Sequence, residues 1–198
     1  MKSFLTHTAL LLRSAENGAS YFKELGYCIN ETEIFEGTNT KEIYVGDHSK
    51  ESSLILLMEP SGDGPYSKAL HKRGESLHHL GLDVENLNQY CKELGKVGWL
   101  LHTHSLESIP KLKTAYLVRP NMPVMLEVHE RVQIERHPSL LSKIGFPELP
   151  ALAPMLAAIS CVNAEIITSS KIDEVEFFTS KHSFKISDIM SFPSRGST

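Results

Sequence analysis

The sequence predicts an α+β fold in which paired β-α-β-β-β modules build a cupped mixed β-sheet, followed by an additional C-terminal α/β extension. Three features of the chain predict it. One stretch of strand and helix occurs twice, apolar runs of strand length follow each copy in matching order, and residues beyond Arg131 have no counterpart in either half.

The first copy runs from His7 to Gly26, HTALLLRSAENGASYFKELG, and the second from His79 to Gly95, HLGLDVENLNQYCKELG. Each passes from a histidine through an apolar strand to a polar helix start, then through a short amphipathic helix ending in KELG. Gly26 and Gly95 are the expected helix stops, because glycine takes the left-handed position at low cost. The extra length of the first copy belongs in its strand-to-helix loop.

Downstream, Lys41–Gly46 (KEIYVG) matches Lys113–Val118 (KTAYLV), and Leu54–Pro60 (LILLMEP) matches Val124–Val128 (VMLEV). The turn-forming Arg119–Pro123 links the last two strands of the second half. Between the halves, Pro60–Pro65 (PSGDGP) is a strong turn signal, with a helical stretch over Tyr66–Arg73. The expected organisation is a two-module domain over residues 1–130, with modules 1–62 and 73–130, and a C-terminal extension over 131–198. In that extension His137-Pro138 and Phe146–Pro150 read as loops. Leu152–Val162 reads as a buried helix or strand, and AEIITS, DEVEFFTS and SFKISDI read as short β segments. The final Phe192–Thr198 is expected to fray.

Bulk properties exclude several function classes. A net charge of −4, a pI near 6.2 and the absence of a long Lys/Arg cluster argue against nucleic acid as a partner and leave a small-molecule substrate. Three cysteines without CxxC spacing favour a reducing, cytoplasmic setting. No run of 18 apolar residues predicts a membrane span, and Thr6, His7 and Thr8 interrupt the apolar start, which reads as a strand.

Side chains alternate faces along a strand, so His7 shares a face with Ala9 and Leu11, and His79 shares one with Gly81 and Asp83. His78 is expected on the opposite face. Glu127 interrupts an otherwise apolar strand, where an ionised carboxylate needs a metal, a cation or solvent. His7, His79 and Glu127 together form a two-histidine, one-carboxylate set suited to one divalent metal ion, with Zn²⁺, Fe²⁺, Co²⁺ and Mn²⁺ all compatible.

The stretch Gly64–Leu87, GPYSKALHKRGESLHHLGLDVENL, resembles the glyoxalase/bleomycin-resistance/dioxygenase (vicinal-oxygen-chelate) superfamily, and most of all methylmalonyl-CoA epimerases. The resemblance extends over residues 4–130. It implies that His7 and His79 are metal histidines, that Glu127 is the metal glutamate of the final strand, and that Glu42 is a catalytic carboxylate. The chain departs from the pattern at Leu56, where the family usually places a fourth ligand, Gln or Glu. The implied function is a metal-dependent isomerase or epimerase that moves an α-proton on a carbonyl or acyl-thioester substrate, with Glu42 and Glu127 as proton-transfer groups. Two alternatives follow from the Leu56 gap. One is an Fe(II) extradiol-type dioxygenase, with His102, His104 and Tyr116 as candidate helpers. The other is a non-catalytic small-molecule-binding protein with an impaired metal site. The superfamily's habit of pairing modules between chains also implies a possible homodimer.

Overall fold

A computed structural model describes residues 1–51, 53–132, 138–148 and 150–193. His137, Leu149 and residues 194–198, which fall in the predicted loops and terminal tail, lie outside the described residues.

The first half begins with β1 (Phe4–Leu11) and α1 (Ala15–Glu24). Ser14 caps α1 by accepting a hydrogen bond from the Asn17 amide at 3.2 Å. Gly26 follows the helix at φ +83°, the left-handed stop expected of it. Then come β2 (Ile29–Phe35), β3 (Thr40–Val45) and β4 (Leu54–Pro60), and α2 (Pro65–Arg73) carries the chain to the second half. There the order recurs as β5 (Ser76–Val84), α3 (Leu87–Lys96), β6 (Leu100–Leu101), β7 (Thr114–Val118) and β8 (Met125–Glu130). Asn86 caps α3 as Ser14 caps α1. Gly95, however, is not the second stop. It lies inside α3, and Gly98 at φ +102° takes the left-handed role after one further turn.

The halves also differ between their second and third strands. In the first half a short turn joins β2 to β3, whereas in the second α4 (Ser105–Leu112) stands between β6 and β7 and ends on left-handed Lys113. Strand β6 is correspondingly reduced to two residues.

All eight of these strands form one curved mixed sheet in the order β2-β3-β4-β1-β5-β8-β7-β6. Each half contributes its first strand to the centre, where β1 and β5 pair antiparallel, and each first strand runs parallel to the last strand of its own half. One face carries the main core. Leu10, Leu12, Leu80, Leu82, Leu126 and Val128 pack there with Phe22 of α1 and Tyr90 and Leu94 of α3. Burial of those side chains is the main stabilising contribution, at about 1.5–3 kcal/mol each.

Residues beyond 138 form β9 (Lys143–Pro147), α5 (Ala153–Ala157), β10 (Glu165–Ser169), β11 (Glu176–Phe178), β12 (Ser183–Lys185) and α6 (Ile186–Ser191). The four strands make a second sheet, ordered β10-β9-β11-β12. The segment SFKISDI is therefore only half strand. Asp188 accepts a hydrogen bond from the Lys185 amide at 2.7 Å, which starts a helix where a β segment was expected. Ile144, Phe146, Phe177, Phe184 and Ile189 join the main core, and Phe184 meets Phe22 edge-on at 4.9 Å. Side-chain hydrogen bonds tie this region to β1 and to α3. The Asn163 side chain both accepts from and donates to the Leu5 backbone, at 2.7 and 2.9 Å, and Tyr90 donates its hydroxyl to Ile159 O at 2.8 Å.

Candidate metal centre

The inner face of the eight-stranded sheet is set by register. Across β1 and β4, His7 lies beside Leu54 and Ala9 beside Leu56; across β5 and β8, His79 lies beside Met125 and Gly81 beside Glu127. Leu56 and Glu127 are thus equivalent positions of the two halves. The same holds for Tyr44, opposite Leu56, and Tyr116, opposite Glu127. The two halves have diverged in chemistry. The first presents Ala9, Leu11, Leu56 and Met58, a small apolar cluster covered by Tyr44 and by Tyr66, Ala69 and Leu70 of α2. The second presents Gly81, Asp83, Glu127, His129, Thr114 and Tyr116 at the corresponding places.

His7, His79 and Glu127 converge where the halves meet. Their donor atoms form a triangle: His7 Nε2 to His79 Nε2 is 2.9 Å, His79 Nε2 to Glu127 Oε2 is 3.1 Å, and His7 Nε2 to Glu127 Oε2 is 3.5 Å. A triangle of these sides has a circumradius of about 1.85 Å, so a point just off its plane lies about 2.0–2.1 Å from all three atoms, the usual metal–N and metal–O bond length. Two imidazole nitrogens and a carboxylate oxygen are also a donor set that first-row divalent ions accept. The residues therefore fit a metal ion. Tyr116 donates its hydroxyl to Glu127 Oε1 at 3.0 Å, which leaves Oε2 as the oxygen aimed at the histidines.

Electrostatics agree with this geometry. Burial opposes ionisation of Glu127, but hydrogen bonds from His7 and His79 outweigh it and hold the carboxyl far below its ordinary pKa. Burial lowers the His79 pKa despite the neighbouring Glu127 carboxylate, which favours the neutral ring that ligation requires. Glu42, on β3, accepts a hydrogen bond from Thr40 Oγ1 at 3.0 Å. Burial raises its pKa, and it feels both His7 and Glu127. Burial pushes the Tyr44 and Tyr66 hydroxyls up to about 12.

Of the suggested helpers, Tyr116 is in the site and His104 packs its ring on Tyr116 at 5.2 Å. His102 lies on an exposed loop, accepting from the His104 amide. Several inner-face residues escaped the sequence reading. His129, with Nε2 3.7 Å from Glu127 Oε1, was legible from alternation along MLEVHE. His78 lies on the inner face, not on the opposite face that alternation predicts. In the β1–β5 ladder Ala9 faces His79 while Leu10 faces Leu77, so His78 is an extra residue in a bulge and swings beside His79. A second bulge at Thr6 separates Leu5, in the main core, from His7.

No family model and no curated protein matches the chain. Solved structures do. A hypothetical protein from Bacillus halodurans C-125 superposes with a TM-score of 0.53 at 21% identity, over 68% of this chain and 99% of its own. A methylmalonyl-CoA epimerase in complex with methylmalonyl-CoA and NH4+ gives a TM-score of 0.51 at 16% identity, over 67% of this chain and 99% of its own. The methylmalonyl-CoA epimerase from Mycobacterium tuberculosis gives 0.50 at 19%, over 66% and 89%. With the repeated strand order, these likenesses identify the fold of this chain as that of the glyoxalase, or vicinal-oxygen-chelate, proteins.

Proposed function

We propose that this chain is a metal-dependent isomerase that moves a proton at the carbon next to a carbonyl, with an acyl thioester as the favoured substrate class. The observation that carries this reading is the three-donor triangle of His7, His79 and Glu127 with the half-buried Glu42 on the same inner face. A bound divalent ion would polarise the substrate carbonyl and so acidify the neighbouring C–H. Glu42 is the proton acceptor in this proposal. Its burial moves its proton affinity toward the working range of a general base, and Thr40 fixes its carboxylate. Tyr116 holds Glu127 in one orientation, and Ala9, Leu11, Leu56 and Met58 keep water from one side of the site. The likeness to an epimerase that binds methylmalonyl-CoA supports the acyl-thioester class.

Metal analysis of the purified chain, followed by an assay of solvent deuterium uptake at the α-carbon of acyl thioesters, tests the proposal. Retained metal with exchange is expected. Glu42→Gln should keep the metal and lose exchange by roughly 10²–10⁴-fold. Failure to hold metal even when it is supplied would sink the reading.

Leu56 favours a second reading. With an apolar residue at the position equivalent to Glu127, three donors on one face leave open sites, the arrangement used by non-haem iron oxygenases. Oxygen consumption on a catechol, without deuterium exchange, would select that alternative. Metal retention with neither reaction would select a binding protein.

A further inference from the structure

Both histidines of the triangle use Nε2 toward its centre, so the outward Nδ1 of each ring decides which nitrogen carries the proton. For His79 the outward partner is its own chain neighbour. His78 Nδ1 lies 2.9 Å from His79 Nδ1, and both residues are buried, at 8% and 4% exposure. Such a contact between adjacent strand residues needs the bulge, because regular alternation would put the two rings on opposite faces. The His78 ring is in turn held against Tyr66 of α2, with centroids 5.1 Å apart.

We propose that His78 is the positioning residue of His79: with an ion in the triangle, in place of the Nε2–H that otherwise donates to Glu127, His78 would accept the His79 Nδ1–H, fix the tautomer with its lone pair on Nε2, and aim that lone pair at the centre of the triangle. This rests on the reading of His7, His79 and Glu127 as a metal site. An outward hydrogen bond of this kind orients a ligating imidazole and raises its basicity, and its loss typically costs 10–100-fold in metal affinity. That role also sets the proton at His78. To accept at Nδ1 it must be neutral and carry its own proton on Nε2. The bulge therefore supplies a second imidazole in service of the first.

The test compares two substitutions in the full-length chain, read by Zn²⁺ affinity in competition with a chromogenic chelator. His78→Leu removes the acceptor. His78→Asn places Oδ1 at the same number of bonds from Cα as Nδ1 and so restores an acceptor, while both variants lose the ring that meets Tyr66. The expected result is a 10–100-fold weaker affinity for the Leu variant and an affinity within about threefold of wild type for the Asn variant. In the Zn²⁺-loaded wild-type and Asn proteins, nitrogen NMR should show His79 protonated at Nδ1. Equal affinities in all three proteins, or equal losses in both variants, would overturn the positioning role and leave the metal site standing. A wild-type chain that binds no Zn²⁺ would overturn the metal reading, and the inference with it.

Discussion

The imidazole of His7 lies across the backbone of Gly81, in the space that the Cβ of any larger residue would occupy. The two are direct partners in the β1–β5 ladder, so the side chain can cross the neighbouring strand only because that strand lacks a side chain there. Gly81→Ala should displace the His7 ring, weaken Zn²⁺ binding by roughly tenfold or more, and lower stability by about 1–3 kcal/mol through overpacking. Chelator competition and urea unfolding measure the two effects. Unaltered affinity would mean that His7 is not held in place by this contact.

Leu56 can be turned into a donor. Because it is the register equivalent of Glu127, Leu56→Gln should bring a carboxamide oxygen to the open side of the triangle and tighten Zn²⁺ binding by roughly tenfold. Without metal the same variant should be less stable by about 1–3 kcal/mol, since a polar group then replaces a buried leucine without a partner. Weaker binding would show that the position does not face the ion.

Tyr116→Phe removes one hydroxyl and little else. Glu127 Oε1 would lose its 3.0 Å donor, freeing the carboxylate to rotate. Zn²⁺ affinity should drop by about 3–30-fold while the melting transition moves little. A large fall in stability with unchanged affinity would reassign the tyrosine to packing.

Asn163 links the C-terminal region to the central strand. Its side chain satisfies both backbone groups of Leu5, which is 1% exposed. Asn163→Ala should therefore cost about 2–6 kcal/mol in urea unfolding, the penalty for two buried backbone groups left unpaired at about 1–3 kcal/mol each. A change below 0.5 kcal/mol, about the scatter of a surface substitution, would show that water replaces the amide.

Much of the fold was legible because the repeat carries its own check: the strand and helix that follow His7 are written again after His79, and each copy has the polar cap its helix needs. The triangle was legible for the same reason, since alternation fixes which residues share a face. Reading failed where the chain departs from period. A bulge shifts one residue relative to its partner strand, and only the partner reveals it, so His78 could not be placed from its own strand. Helix α3 passed through Gly95 because the left-handed turn came later, at Gly98, and a glycine within a helix costs only about 1 kcal/mol. In SFKISDI, one aspartate capping the Lys185 amide decided between strand and helix.

The place of β1 at the centre of the larger sheet has a cost during synthesis. Its ladder partners lie on β4 and β5, and the amide that completes Leu5 comes from Asn163, 158 positions later. At roughly 5–20 residues per second, β1 waits on the order of ten seconds for its last partner. Until β4 and β5 follow, the run from Ala9 to Leu12 has no neighbouring strand to join, which makes it a segment that a holding chaperone would be expected to cover and a place where a crowded translation system would lose product to aggregation.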